Sequence, residues 1–158
     1  MTRFALVLGF VSLIAIRTAS AVDVTTCGQV VAKGDFGLLV GDLTCAGTAV
    51  VLEQHATLDL AGFTITVTGP GPGAAVNCVG RRCAVHSTAV APGKLVGNPG
   101  FAGVAMEAVP LGKMELRKLV IDGFLHNVQA ATARVFASEV AVSGAAFNGM
   151  IARRLHLD

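Results

Sequence analysis

The sequence has no tryptophan and no tyrosine, so phenylalanine supplies all 8 aromatic residues in a chain of 158. This scarcity counts against binding loops in which sugars stack on several aromatic rings. No stretch beyond residue 21 reaches the roughly 18 uncharged apolar residues that mark a membrane-spanning helix. The hydrophobic residues, which make up 53% of the chain, are therefore expected in many short buried strands.

Charge is also sparse, because only 14% of the residues are charged. The formal net charge of +2 comes from Arg3 and Arg17, and without them 10 basic residues balance 10 acidic ones. No basic stripe is evident along the sequence. We therefore predict binding neither to nucleic acid nor to an anionic membrane surface.

Positions 1–21 have the layout of a secretory signal peptide. Arg3 precedes an apolar run over residues 4–16, and an Ala-Ser-Ala triplet ends at Ala21. This run is too short for the roughly 20 residues that span a bilayer. We predict cleavage after Ala21 and export of the remaining chain, with no membrane span left after the signal is removed.

The four cysteines are Cys27, Cys45, Cys78 and Cys83. An even number in an exported chain indicates two disulfides, for which three pairings exist. Proximity in sequence favours pairing the first with the second and the third with the fourth, since each pair closes a short loop. A zinc site is the alternative, but the chain has no CxxC motif and no nearby pair of histidines. No metal site and no cofactor is predicted.

A repeat runs through the middle of the sequence. In the segments TITVTG, GKLVGN, LVIDG and VAVSG, a glycine follows one or two branched apolar residues at alternate positions. These glycines are Gly69, Gly97, Gly123 and Gly144, which are 28, 26 and 21 positions apart. A second apolar position follows each glycine, at Val76, Val104, Val128 and Met150. A period of roughly 20 to 30 residues is typical of a solenoid, whose units bury their apolar faces by stacking.

Helical solenoids do not fit this pattern. A helix pair needs apolar residues at spacings of three and four over roughly a dozen positions, whereas ELRKLVIDGF and ASEVAVSGAAF alternate. Gly123 and Gly144 would also fall where helix propensity is worst. We therefore predict an all-β solenoid of about four or five coils with three short strands per turn.

The segment LTCAGTAVVLEQHATLDLAGFTITVTG, residues 43–69, resembles the opening coil of secreted bacterial proteins with right-handed parallel β-helix repeats. This is the pectin-lyase-like superfamily in its broad sense, and the resemblance extends over residues 27–151. It implies a right-handed parallel β-helix. We expect a disulfide-stapled N-terminal strand or cap region over residues 22–50 and β-helix repeats over residues 51–158. The matching positions are strand and turn residues, so they indicate the fold and not an activity.

Enzymes of this superfamily act on polysaccharides and carry charged residues on one outer face of the solenoid. Alignment of the repeats on their glycines tests for such a face. The position before the glycine holds Thr68, Val96, Asp122 and Ser143. The position of Asp59 is matched in later coils by Val120 and Ala141. The alignment therefore does not predict the pair of carboxyl groups that glycoside hydrolysis requires.

The remaining catalytic candidates lie in and just before the segment IDGFLHN, and they are Arg117, Lys118, Asp122 and His126. A lyase would need a base and a cation there. The alternative is that Asp122 only caps the turn at Gly123.

The candidates for ligand binding are Asp59, Arg81 and Arg82. The two arginines lie between the third and fourth cysteines and suit an anionic sugar. Alternatively, they keep a protruding loop solvated.

These observations favour a secreted β-helix protein, periplasmic or extracellular, that acts as a scaffold or as a carbohydrate-binding module with polysaccharide as its partner. The alternative is a polysaccharide lyase or glycoside hydrolase of the pectin-lyase-like type, or a fragment of a longer enzyme of that kind. The last segment, MIARRLHLD, begins a strand without a polar cap. We therefore expect either self-association through an exposed C-terminal coil or further coils beyond Asp158.

Overall fold

The computed structural model describes residues 21–107 and 110–158, which form fourteen β-strands. The predicted signal peptide lies outside the described residues, apart from Ala21. In chain order the strands are β1 (Ala21–Val24), β2 (Gln29–Val31), β3 (Phe36–Leu39), β4 (Leu43–Cys45), β5 (Val50–Leu52), β6 (Ala56–Asp59), β7 (Thr64–Val67), β8 (Gly73–Cys78), β9 (Arg82–His86), β10 (Gly93–Val96), β11 (Phe101–Met106), β12 (Lys113–Asp122), β13 (His126–Ser143) and β14 (Asn148–Leu157).

The strands of the described ranges pair in parallel and stack in three ladders. Ladder I contains β2, β5, β8, β11 and the first parts of β13 and β14. Ladder II contains β1, β3, β6, β9, the first part of β12 and the second parts of β13 and β14. Ladder III contains β4, β7, β10 and the last parts of β12 and β13. From Gln29 the chain completes the circuit I, II, III five times and begins a sixth, which confirms the predicted all-β parallel β-helix.

The register confirms one half of the sequence repeat. In ladder I, Val76 is level with Val104, and the next two coils continue the column with Val128 and Met150. The glycine alignment is correct for Val96, Asp122 and Ser143 in ladder III.

One coil of that alignment is wrong by two residues, because Thr66 and not Thr68 is level with Val96. The two glycines that served as markers occupy different places in their coils. A Cβ atom at Gly69 would overlap the backbone of Ala46, whereas one at Gly97 would overlap the buried ring of Phe124.

Alternate strand residues point into the solenoid and form apolar columns. In ladder II, Leu58, Val85 and Leu116 are level in successive coils and are fully buried or nearly so. Each such side chain contributes roughly 1.5 to 3 kcal/mol when it is removed from water. A slip of one residue would turn a whole strand inside out, so these columns fix the register of the outward-facing residues as well.

The corner between ladders II and III places two charged residues beside the outer face. Lys118 and Glu139 adopt left-handed backbone with φ of 56° and 53°, which lets β12 and β13 turn the corner without a break. In an earlier coil, Ala61 and Gly62 turn the same corner with φ of 47° and 83°. Left-handed backbone is uncommon for residues other than glycine, so this corner is a constrained part of the fold.

The disulfides have the pairing that sequence proximity favoured. Cys27 is bonded to Cys45 and Cys78 to Cys83, which leaves no cysteine available to a zinc ion. The first bond joins the start of the first coil to its end, and the second links β8 to β9. Two disulfides are typical of proteins in oxidising compartments.

Strand pairing shows how the first and last described coils are joined to the rest of the solenoid. The coils begin before residue 51, because β2, β3 and β4 are already in register with β5, β6 and β7. At the other end β14 pairs with β13 alone, and self-association through this coil stays a prediction. Within the described ranges, no helix has the length and apolar character needed to cross a membrane.

The close approach of Gly69 to the preceding coil gives a test of coil stacking. We expect Gly69→Ala to lower the free energy of unfolding by about 1 to 3 kcal/mol, because the added methyl group forces backbone apart. Gly41→Ala is the matched control, since a Cβ atom there meets nothing within 4 Å. Chemical denaturation of the two variants would measure the difference, and equal stabilities would contradict this stacking.

Candidate functional site

Charged residues are distributed very unevenly over the three ladders. The paired strand positions of ladder I contain no Asp, Glu, Lys or Arg. Those of ladder III contain two, Lys94 and Asp122. Those of ladder II contain eight, namely Asp23, Asp59, Arg82, Lys113, Glu115, Arg117, Arg134 and Arg154. The outer face of ladder II is therefore the polar face of the solenoid.

A groove with a volume of about 470 Å³ opens on this face across three successive coils. We call it the His86 groove. Its polar lining consists of His86, Ser87, Thr88, Glu115, Arg117, Lys118 and Glu139. A groove that combines cations, carboxylates, hydroxyls and an imidazole can donate and accept hydrogen bonds at several points.

Asp59 lies next to this groove, on the strand that precedes His86. The Asp59 carboxylate is buried, with only 2% of the residue exposed. Its Oδ1 atom accepts hydrogen bonds from the backbone N–H groups of Ala61 at 2.8 Å and Thr88 at 3.0 Å. Its Oδ2 atom accepts one from the Thr88 hydroxyl at 2.5 Å. These bonds hold the segment that follows β9 against the preceding coil.

The protonation state of Asp59 follows from these contacts. Burial by itself would raise the pKa of the carboxyl, but the hydrogen bonds from Thr88 and Ala61 and the nearby imidazole of His86 outweigh it, so the pKa is lowered. The carboxyl is therefore ionised at neutral pH. Its Oδ2 atom lies 3.9 Å from Nε2 of His86, so the buried carboxylate faces the imidazole at the edge of the groove.

His86 and Arg117 are level with each other in successive coils. Nε of Arg117 lies 3.9 Å from a carboxylate oxygen of Glu139, and both side chains are largely exposed, at 72% and 60%. Ion pairs this exposed contribute little to stability, with a typical value of about 0 to 1 kcal/mol. The Arg117 guanidinium is therefore available to an anionic or polar ligand.

The structure separates the four residues predicted as a catalytic cluster. Arg117 and Lys118 line the His86 groove. Asp122 lies in ladder III, where its Oδ1 atom accepts a hydrogen bond from the Ser143 hydroxyl at 2.8 Å. His126 lies in ladder I, with its ring edge-on to Phe147 at 5.6 Å. The four residues lie within ten positions of one another in sequence but belong to three different ladders.

The predicted binding residues also have different surroundings. Asp59 is too buried to contact a large ligand and instead positions Thr88 and His86. Arg82 is exposed and level with Lys113 on ladder II. Arg81 is exposed in the loop closed by the second disulfide.

The sequence pattern did not point to four residues of the groove, namely His86, Thr88, Glu115 and Glu139. The glycine alignment set Asp59 level with Val120 and Ala141, and this is wrong because Asp59 is level with His86. The marker glycines follow ladder III and do not report the register of ladder II. The segments ATLD and CAVH, residues 56–59 and 83–86, share the same alternation of inward and outward residues. Aligning these two segments would have set Asp59 level with His86.

No three His, Cys, Asp or Glu residues of the described chain are grouped so as to hold a metal ion. The fold and the distribution of charge together define a parallel β-helix protein whose charged strand residues are concentrated on ladder II. No protein-family model, curated protein or solved structure matches the chain. The resemblance to the pectin-lyase-like superfamily therefore stays a prediction.

The lowered pKa of Asp59 predicts a specific pH dependence of stability. The carboxylate stabilises the fold above its ordinary pKa of 3.8, and this contribution is lost as the pH falls through the lower pKa of the folded state. Asp59→Asn should lower the free energy of unfolding at pH 7 by about 1 to 3 kcal/mol and reduce its loss in acid. Asp23→Asn, at an exposed position of the same ladder, should change it by less than about 0.5 kcal/mol. Denaturation at a series of pH values would measure both, and equal curves for the two variants would contradict this role of Asp59.

Proposed function

We propose that this protein is an extracellular β-helix module that binds polysaccharide on the outer face of ladder II. The observation that carries the proposal is the distribution of charge, with seven charged strand positions besides the buried Asp59 on ladder II, two on ladder III and none on ladder I. Folding alone does not require charge to collect on one ladder, because all three outer faces meet solvent. Ligand binding on one face accounts for the difference.

The spacing of the coils suits a polymer. Parallel strands repeat at about 4.8 Å, so successive coils present equivalent side chains at short, regular intervals. A solenoid therefore offers a long chain several similar contacts along one direction, and its stacked core holds them rigidly. Extended surfaces of this kind are the usual binding surfaces of solenoid proteins.

The His86 groove supplies the chemistry that sugars need. Arg117 and Lys118 donate hydrogen bonds to carboxylate or hydroxyl oxygens, and Glu115 and Glu139 accept them from hydroxyl groups. The volume of about 470 Å³ is within the usual range of small-ligand sites, roughly 300 to 1,000 Å³. One or two sugar units of a longer chain would occupy such a groove.

The groove gives the first binding test. The whole protein would be titrated with a panel of neutral and acidic polysaccharides, and we expect Arg117→Ala to weaken binding of the best ligand by about fivefold or more. Lys94→Ala removes an exposed charge from ladder III and serves as the matched control. Absence of binding across the panel, or equal losses in both variants, would contradict the proposal.

A second candidate function is cleavage of the bound polysaccharide. Two glutamates, Glu115 and Glu139, line the same groove as His86. Glycoside hydrolysis uses two carboxyl groups, one as acid and one as base or nucleophile. Elimination from a uronate instead needs one positioned base, for which the imidazole of His86 is suited.

Release of reducing or unsaturated sugar from the same panel tests this candidate. If the protein is an enzyme, Glu115→Gln or Glu139→Gln should reduce the rate by about 100-fold or more. Glu107→Gln, at an exposed position outside the groove, should leave the rate unchanged. Binding without any release of sugar would reject cleavage and retain the binding function.

A further inference from the structure

Four cations follow one another along ladder II at a distance from the His86 groove. Arg82 is level with Lys113, Lys113 with Arg134, and Arg134 with Arg154. We call these four residues the basic row. They are 31, 21 and 20 positions apart in the sequence, so the expectation that the chain forms no basic stripe is corrected by the register.

The basic row is regular and accessible. With parallel strands about 4.8 Å apart, its four members span about 14 Å along the solenoid axis. The three arginines are exposed and Lys113 is partly exposed. An open cleft of about 450 Å³ lies beside Arg82, Lys113 and Arg134.

The cations of this row lie to one side of the His86 groove, and Glu115 lies between the two because it lines the groove and pairs with Lys113. On β9, Arg82 lies four residues before His86, and on β12, Lys113 lies four residues before Arg117. Four residues of extended strand cover about 13 Å. A ligand running along the axis over the row would therefore leave the groove open.

Like charges in register destabilise a sheet, since neighbouring side chains of one face lie within about 5 Å of each other. Among the residues that the structure describes, the one ion pair made by a member of the row joins Lys113 to Glu115. Three of the four members are arginines, whose guanidinium groups are cationic. The row therefore holds an excess of positive charge that an external anion would neutralise.

We infer that the basic row binds an anionic polysaccharide that lies along the solenoid axis, with its carboxylate or sulfate groups opposite successive coils. The inference rests on the proposed function and names the class of polysaccharide. Guanidinium groups are suited to this ligand because their planar fork of donors matches carboxylate and sulfate oxygens. A linear arrangement of fixed charges selects a linear polymer over a single anion.

The surroundings of the row favour a glycan over a nucleic acid. Single-stranded nucleic acids need a free aromatic face on which bases stack, in addition to positive charge. Phe136 is the aromatic residue beside the row, and its ring is already in use. Nζ of Lys113 from the preceding coil lies 4.7 Å from the ring centroid, and His156 of the following coil stacks on the ring at 4.7 Å.

The test compares four probes, namely alginate, dextran sulfate, uncharged dextran and a single-stranded thymidine oligonucleotide. The variant Arg82→Gln/Arg134→Gln removes two members of the row, and Lys33→Gln/Lys94→Gln removes two exposed charges elsewhere. Affinity would be measured by titration at several salt concentrations, with circular dichroism as a check of folding.

We expect alginate, dextran sulfate or both to bind, and preference between the two identifies carboxylate or sulfate as the recognised group. The row variant should weaken this binding on the order of tenfold and lower the slope of log affinity against log salt concentration by about two. The control variant should change neither quantity. Weaker binding by the row variant, with an unchanged circular dichroism spectrum, would show that the arginines contact the ligand and are not needed for folding.

Four results would overturn the inference. Equal losses in both variants would show a general effect of net charge, and tighter binding of the oligonucleotide would assign the row to nucleic acid. Binding of uncharged dextran as tight as that of the anionic polymers, unchanged in the row variant, would reject the inference and keep the proposed function. Failure of all three glycans to bind would reject both.

Discussion

Backbone hydrogen bonds between successive coils are the interaction on which this structure depends. A strand in any one coil has no partner within that coil, so its N–H and C=O groups pair with the coils before and after it. This pairing brings residues that are about 20 to 30 positions apart in sequence to neighbouring positions about 4.8 Å apart. Inward columns such as Leu58, Val85 and Leu116 then hold the register, because a slip would expose them.

The polar face is a consequence of the same register. Strand residues alternate between the interior and the surface, so the pairing that stacks Val85 on Leu116 inside also sets His86 level with Arg117 outside. The packing of the core therefore also determines which surface residues are neighbours in successive coils. His86 and Arg117 are strand residues, so strand pairing sets their positions. Thr88 lies in a loop, and its hydrogen bonds to the buried carboxylate of Asp59 fix that loop.

The two parts of ladder II differ in what they contribute to folding. Asp59 stabilises the fold, because its buried charge is compensated by hydrogen bonds from two backbone groups and a hydroxyl. The basic row opposes folding, because four cations lie level with one another and only Lys113 is paired with a carboxylate. Asp59 behind the groove therefore serves packing, whereas the row costs stability, and the proposed ligand binding would offset that cost.

The sequence by itself determined the features that depend on local patterns. Alternation and recurring glycines predicted an all-β solenoid and the column from Val76 to Met150. Proximity in sequence predicted the pairing of the cysteines. Only the tertiary structure decided which surface residues meet. Between the third and fourth coils, Gly73 is level with Phe101 in ladder I, Arg82 with Lys113 in ladder II and Gly93 with Leu119 in ladder III, so the sequence offset differs from ladder to ladder. The corners between ladders differ in length, so glycines that mark one ladder cannot fix the register of another. For this reason the pairing of Asp59 with His86 and the alignment of Arg82 with Lys113 emerge from coil stacking and not from spacing in the sequence.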